Sequence, residues 1–195
     1  MKFNLNGQMT EYSGNPKLSL LKYLRDIEGI TSPKDGCSPQ ASCGACTVEF
    51  NGKAILSCVT PMEKIADGSV LTIEGIGKYK QDVFANAFVE KGGTQCGFCT
   101  PGIVMQSKVL IDQNPNPTKD EIRKALTPNL CRCTGYTKII DSVKYAAEAI
   151  GETKVIPKPK SIGKVGSRHP KYDADKLTLG QSPFIDDMKF DEMVY

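Results

Sequence analysis

The sequence predicts an α+β protein in three parts: a small β-grasp-like sheet over residues 1–77, a four-helix bundle over 78–151 and an extended tail over 152–195. Three observations carry this. Apolar and polar residues alternate around two Asn-Gly pairs, the strongest short-range hairpin signal. Near residue 80 the apolar spacing changes from strand-like alternation to the helical period. After Gly151 periodicity stops, in a stretch rich in Lys, Gly and Pro.

The elements follow in order. "KFNLNGQMTEY" forms a hairpin about Asn6-Gly7. A helix capped by Ser19 places Leu20, Leu21, Leu24 and Ile27 on one face and stops at Gly29. "CTVEFNGKAILSC" gives two strands about Asn51-Gly52, and "SVLTIEGI" a further one. In the second part Phe84, Ala87 and Phe88 mark a helix ended by Gly92-Gly93. Thr100 is the expected N-cap of the next helix, with Pro101 at its first position. Thr118 and Glu121 form a capping box ahead of Ile122, Ala125 and Leu126. A last helix carries Ile139, Ile140, Val143, Ala147 and Ile150 up to Gly151.

Bulk composition narrows the function. With 39% hydrophobic and 24% charged residues the chain is an ordinary globular protein of one large domain or two small ones. A net charge of +3, without interleaved basic and aromatic residues, argues against nucleic acid. "MKFNLNGQMTEY" has no apolar signal region, and no apolar run approaches a membrane span. The expected address is the cytoplasm, where thiols stay reduced.

Eight cysteines then need a reason. Disulfides would need a secreted context, and Cys131 and Cys133, one residue apart, make a poor bridge with each other. Metal ligation fits better. Cys37, Cys43, Cys46 and Cys58 read C-x5-C-x2-C with a distant fourth member, the plant-ferredoxin arrangement for a 2Fe–2S cluster; zinc remains open, although its sites more often pair two C-x-x-C knuckles. For Cys96, Cys99, Cys131 and Cys133 spacing alone barely separates iron from zinc. Both of these pairs precede expected helix N-termini, which favour negative charge and would hold all four sulfurs as thiolates. Neighbouring glycines (Gly36, Gly44, Gly97, Gly102, Gly135) let backbone approach bulky sulfide.

Three words, "SCGACTV", "QCGFCTPG" and "NLCRCTGYTKI", in this order, closely resemble the iron–sulfur portion of the xanthine dehydrogenase and aldehyde oxidoreductase family, the molybdenum hydroxylases. The resemblance covers residues 1–150. It implies a β-grasp, ferredoxin-like 2Fe–2S domain with Cys37, Cys43, Cys46 and Cys58 as ligands. It implies also a four-helix-bundle 2Fe–2S domain with Cys96, Cys99, Cys131 and Cys133. Gln95 and Cys133 are then expected to face a molybdopterin (molybdenum) cofactor, Gln95 by hydrogen bonding and Cys133 as cluster ligand and electron route. "CSPQASC" departs from the family, which usually has four residues between these cysteines where this chain has five. The implied function is electron transfer, from molybdopterin on a large molybdenum-binding subunit, through two 2Fe–2S clusters, to FAD on a further subunit or another acceptor.

"DKLTLGQSPFIDDMKFDEMVY" looks like the opening of the family's molybdenum-binding portion, whose substrate-oxidising site is not in this chain; the remainder is expected in a longer fused chain or a separate subunit. A free-standing ferredoxin-like carrier and a zinc-stapled interaction module are the competing readings. Tyr136 is expected in the core, and His169 on a solvated tail. Arg132, between two cysteines, is open to a role in tuning a cluster or meeting a partner.

Overall fold

The computed structural model describes residues 1–160, 162–167, 169–188 and 190–191. Both Asn-Gly hairpins form. β1 (Lys2–Leu5) pairs antiparallel with β2 (Gln8–Glu11), and the turn needs positive φ at two consecutive residues, 52° at Asn6 and 88° at Gly7. β3 (Thr47–Phe50) and β4 (Lys53–Leu56) repeat the device at Asn51 and Gly52. β5 (Ser69–Leu71) then enters the middle, parallel to β1 and antiparallel to β3, giving a mixed five-stranded sheet in the order β2-β1-β5-β3-β4. The strand stops at Leu71 because the Asn6 side chain takes the Thr72 N–H at 2.8 Å and the chain turns into a 3₁₀ turn over Ile73–Gly75.

Ser19 caps α1 (Leu20–Lys22) by accepting the Lys22 N–H, as its position predicts. The helix departs from the expected period at once. It widens into a π-turn over Tyr23–Ile27, closed by Glu28 N–H to Tyr23 O at 3.1 Å, and Ile27 swings off the buried face to 55% exposure. Leu20, Tyr23 and Leu24 still pack with Phe3, Leu5 and Val48 as the core of the first part. Burying each such side chain stabilises the fold by about 1.5–3 kcal/mol.

Four helices fill the second part: α2 (Lys78–Lys91), α3 (Thr100–Gln113), α4 (Lys119–Ala125) and α5 (Thr137–Gly151). Gly92, with φ 71°, ends α2 in the left-handed conformation. The capping box of Thr118 and Glu121 is complete. Phe84, Phe88, Ile103, Ile139 and Val143 meet in a core separate from that of the sheet. Thr100 is not the cap of α3. Cys99 occupies that position with helical backbone and no side-chain cap bond, and Thr100 is already inside the helix, buried. No helix among the described residues is long and apolar enough to cross a membrane.

The tail is not simply extended. The described residues between 152 and 170 are irregular and mostly exposed, but Ile156 is buried, and Ala174–Thr178 forms a short helix, α6, packed on α2 and α3. The sequence predicts no core here because five residues are too few to show a period. The buried side chains of α6 are Ala174 and Thr178, followed by the buried Leu179.

One ion network ties the two cores. Lys108 on α3, 9% exposed, reaches Glu49 on β3 and lies 2.9 Å from Asp112, which Lys80 also meets at 2.7 Å. Burial works against the Lys108 charge, but its bonds to Glu49 and Asp112 leave the ammonium above its ordinary range. Burial likewise opposes the Asp112 carboxylate, yet Lys80 and Lys108 hold it below the usual value. The Lys108–Asp112 pair is therefore intact between the ordinary values of 3.8 and 10.5; it weakens as pH falls through the depressed Asp112 pKa or rises through the raised Lys108 pKa. Lys108→Met leaves Glu49 facing α3 unpaired, and is expected to cost about 2 kcal/mol, less than a fully buried pair because its partners are partly wet. Glu49→Leu added to it should recover most of the loss, measured as thermal midpoints at one scan rate.

Candidate metal centres

The first cysteine set lies in the loops before β3 and after β4. Cys43, Cys46 and Cys58 are buried and Cys37 is half-buried. The five-residue loop after Cys37 takes up its length through left-handed backbone at Ser38 and Ala41, φ 53° and 55°. It still aims its backbone at sulfur: N–H groups of Ser42, Cys43 and Gln40 donate to Cys37, and that of Ala41 to Cys58. Such converging N–H groups stabilise an anion. The bond from Ser42 leads in bringing the Cys37 thiol down to about 6. Burial and the neighbouring Cys46 push Cys58 up to about 12, and burial raises Cys43.

The second set joins the loop before α3 to the loop before α5. Cys96 and Cys133 are exposed, with sulfurs 3.5 Å apart, while Cys99 and Cys131 form the inner pair, in mutual hydrogen-bond contact. All four line one cavity of about 170 Å³, and Cys43 of the first set lines it too, so the first set reaches the second through that one cysteine. Without metal, the helix N-termini do not by themselves hold all four as thiolates. Burial drives Cys99 far above the ordinary thiol range, and the hydrogen bond to Cys96 raises Cys133. Cys131 alone is lowered among the three with a resolved shift: burial opposes it, but Thr134 Oγ1 and the N–H groups of Cys133 and Thr134 prevail. The physical reason is that α5 begins at Thr137, beyond the turn Thr134–Tyr136, while Cys99 is buried at the start of α3.

Tyr136 holds that turn. With φ 67° it packs against the helical core, and its hydroxyl accepts the Cys131 N–H at 2.8 Å and donates to the Asn129 carbonyl at 2.9 Å. The sequence places Tyr136 in the core but does not reveal this bond, which the short spacing to Cys131 alone cannot show. Asn129 in turn donates to the Gly44 carbonyl at 2.9 Å, and the Leu130 N–H donates to the Cys43 carbonyl at 2.8 Å. The two cysteine loops are thus bonded directly to each other. Gln95 is exposed beside Cys96, at the same outer end as Cys133; Arg132 is exposed and also lines the cavity. His169 meets Ser167 at 3.2 Å.

All eight cysteines are free. Among the described residues no three His, Cys, Asp or Glu side chains are arranged for a single metal ion. The sulfurs come instead in pairs, Cys37 with Cys43, Cys46 with Cys58, Cys96 with Cys133 and Cys99 with Cys131. A diiron cluster asks for two thiolates on each iron, and the metal supplies the positive charge that deprotonates a buried thiol outright. The donor set fits that group.

Fold and site together define an iron–sulfur electron-transfer protein of the 2Fe–2S type. Residues 72–144 match the family model of the [2Fe-2S] binding domain. The nicotinate dehydrogenase small FeS subunit of Eubacterium barkeri is 43% identical over 149 residues, 76% of this chain and 94% of that one. Among solved structures, aldehyde oxidoreductase from Desulfovibrio gigas superposes with a TM-score of 0.87 at 33% identity, over 96% of this chain and 22% of that one. Quinoline 2-oxidoreductase from Pseudomonas putida 86 gives 0.73 at 34% identity, over 80% of this chain and 97% of the matched chain. The chain belongs to the iron–sulfur components of the molybdenum hydroxylases, the family of xanthine dehydrogenase and aldehyde oxidoreductase. It spans nearly all of the small-subunit relative and about a fifth of the aldehyde oxidoreductase.

Proposed function

We propose that this chain carries electrons within a molybdenum hydroxylase, with one 2Fe–2S cluster in a ferredoxin-like domain over 1–77 and one in a four-helix-bundle domain over 78–151. Cys37 and Cys43 would hold one iron of the first cluster and Cys46 and Cys58 the other; Cys96 with Cys133, and Cys99 with Cys131, would hold the second. Each cluster supplies a site that gains and loses one electron. The observation that carries the reading is the pairing of eight sulfurs into two sets, with Cys43 of the first opening on the cavity that the second set lines.

The surroundings give the sets different roles. In the second set the outer pair, Cys96 and Cys133, is exposed beside Gln95, and this end is the one suited to meet molybdopterin on a molybdenum-binding large subunit. Gln95 would hydrogen-bond the pterin there. In the first set three sulfurs are buried and the loop 38–41 is exposed, which suits delivery to FAD on a further subunit or to another acceptor. The tail over 152–195 would lead toward the molybdenum-binding portion. In support, a superposition over 96% of the chain cannot be reached without most of the residues after Gly151. The relatives include enzymes named for nicotinate, quinoline and an aldehyde.

Analysis of the anaerobically purified protein is expected to give about four irons and four acid-labile sulfides per chain, with a red-brown colour that bleaches on reduction. Stoichiometric zinc without labile sulfide would overturn the reading.

A further inference from the structure

Past α6 the chain threads a gap with no room for a side chain. Gly180 has φ 70°, and a Cβ there would lie 2.7 Å from Ser32 Cβ and 3.1 Å from Pro101 Cγ. α6 itself lies on the second cysteine loop. Leu177 covers Gly97, where an added Cβ would come within 2.7 Å, and Thr178 meets Thr94 hydroxyl to hydroxyl at 2.8 Å. The turn that follows, Phe184 to Asp187, then reaches the seam between the two sets. The Phe184 ring packs edge-on against Phe98 at 5.3 Å, and Lys34 Nζ lies 5.1 Å from its centroid. Phe98 and Gly36 both line the cavity that the cysteines share.

Asp187 closes this turn from within. Its side chain is 3% exposed; Oδ2 accepts from Lys34 Nζ at 2.5 Å and from the Phe184 N–H at 2.9 Å, and Oδ1 accepts from Arg25 at 2.8 Å. Lys34 is 1% exposed and sits three residues before Cys37, with its N–H on the Ala45 carbonyl between two further cysteines. A buried ammonium needs a counter-charge, and here a residue 153 positions away supplies it.

We propose that the turn Phe184–Asp187 is a strap sealing the seam between the two cysteine sets, and that Asp187, by neutralising Lys34, holds the reduction potential of the first cluster down. Asp187 and Lys34 are positioning residues, since neither touches a sulfur. Gaining an electron makes a cluster more negative, so an uncompensated positive charge beside its loop favours the reduced form and raises the potential. With Asp187 in place Lys34 acts as one end of a compact ion pair. Without it, and with Lys34 still protonated, the net charge beside the loop rises by one.

The inference rests on the two-cluster reading, and iron content separates the two. The full 195-residue chain, loaded with iron and sulfide, would be titrated by EPR-monitored reduction as wild type, Asp187→Asn and Asp186→Asn. Both substitutions remove the same formal charge, but the Asp186 side chain is 71% exposed and 3.6 Å from Arg25. Asp187→Asn is expected to shift one cluster to a more positive potential and leave the other unmoved, while Asp186→Asn shifts neither. Limited proteolysis should cut Asp187→Asn and Phe184→Ala after α6 about tenfold faster than wild type. The double variant Lys34→Met/Asp187→Leu removes both charges and should return the potential toward wild type. It carries the test by itself if Asp187→Asn fails to retain iron. Equal shifts from Asp186→Asn and Asp187→Asn, no shift in iron-replete Asp187→Asn, or a double variant displaced as far as Asp187→Asn would each overturn the strap. Absence of iron from the wild type would overturn the two-cluster reading instead.

Discussion

Cys43→Ala is expected to halve the iron, from about four to about two atoms per chain, and to abolish one of two EPR signals while sparing the other. Cys43 belongs to the set on the sheet side, and no sulfur serves both sets. Its loss leaves Cys37 without its neighbour and Cys46 and Cys58 without a complete ligand set. The helical part keeps Cys96, Cys99, Cys131 and Cys133, and its core of Phe84, Phe88, Ile103, Ile139 and Val143 shares no buried side chain with the core of Phe3, Leu20, Tyr23 and Val48. The backbone bond from Leu130 N–H to the Cys43 carbonyl survives, because alanine retains that carbonyl. Alanine is the informative choice, since a serine oxygen can itself bind iron. Loss of both signals from a protein whose circular dichroism is unchanged would show that the sets are not independent.

That experiment tests a grouping legible in the chain itself. Spacing sorted the cysteines into two sets, and backbone chemistry announced the elements that carry them. Asn6-Gly7 and Asn51-Gly52 can be read because the two-residue turn demands positive φ twice, which few residue pairs supply. Thr118 and Glu121 can be read because a capping box is a local reciprocal bond. What escaped is long-range or graded. The π-turn that expels Ile27 breaks the period on which the expectation depended. The pairing of Cys96 with Cys133, rather than with Cys99, follows from how α3 and α5 bring their loops together across 37 positions. Lys34 and Lys108 look like surface residues in the sequence, yet both are buried on carboxylates from distant segments. The thiol pKa values failed for a similar reason: position beside a helix is local, whereas burial is set by the whole fold.

Gly44→Ala is expected to destabilise the protein by about 3 kcal/mol and to loosen the junction between the sets without removing a ligand. Gly44, at φ 65°, is held between the start of α3 and the segment before Cys131. An added Cβ would lie 2.4 Å from the Pro128 carbonyl oxygen and 2.8 Å from Asn129 Nδ2. Neither neighbour yields easily: the first is backbone, and the second is a buried amide already donating to the Gly44 carbonyl at 2.9 Å. On the other side, a Cβ on Gly102 of α3 would come within 2.5 Å of the Gly44 oxygen, so the loop cannot retreat toward the helix. The strain must move Pro128 and Asn129. With them go the bond from Leu130 to Cys43 and the Asn129 carbonyl that anchors Tyr136, the residue holding the Cys131 N–H. Iron should stay at about four per chain. The thermal midpoint should fall by about 10 °C at a fixed scan rate, and the magnetic splitting between the two reduced clusters in EPR should weaken as their loops part. Gly52→Ala is the matched control. At φ 76° it pays the same left-handed penalty, but nothing lies within 4 Å of the added Cβ. It should lose only about 1 kcal/mol and keep the splitting intact. If Gly44→Ala behaves no differently from Gly52→Ala, the tight contact at Gly44 does not hold the two sets in register.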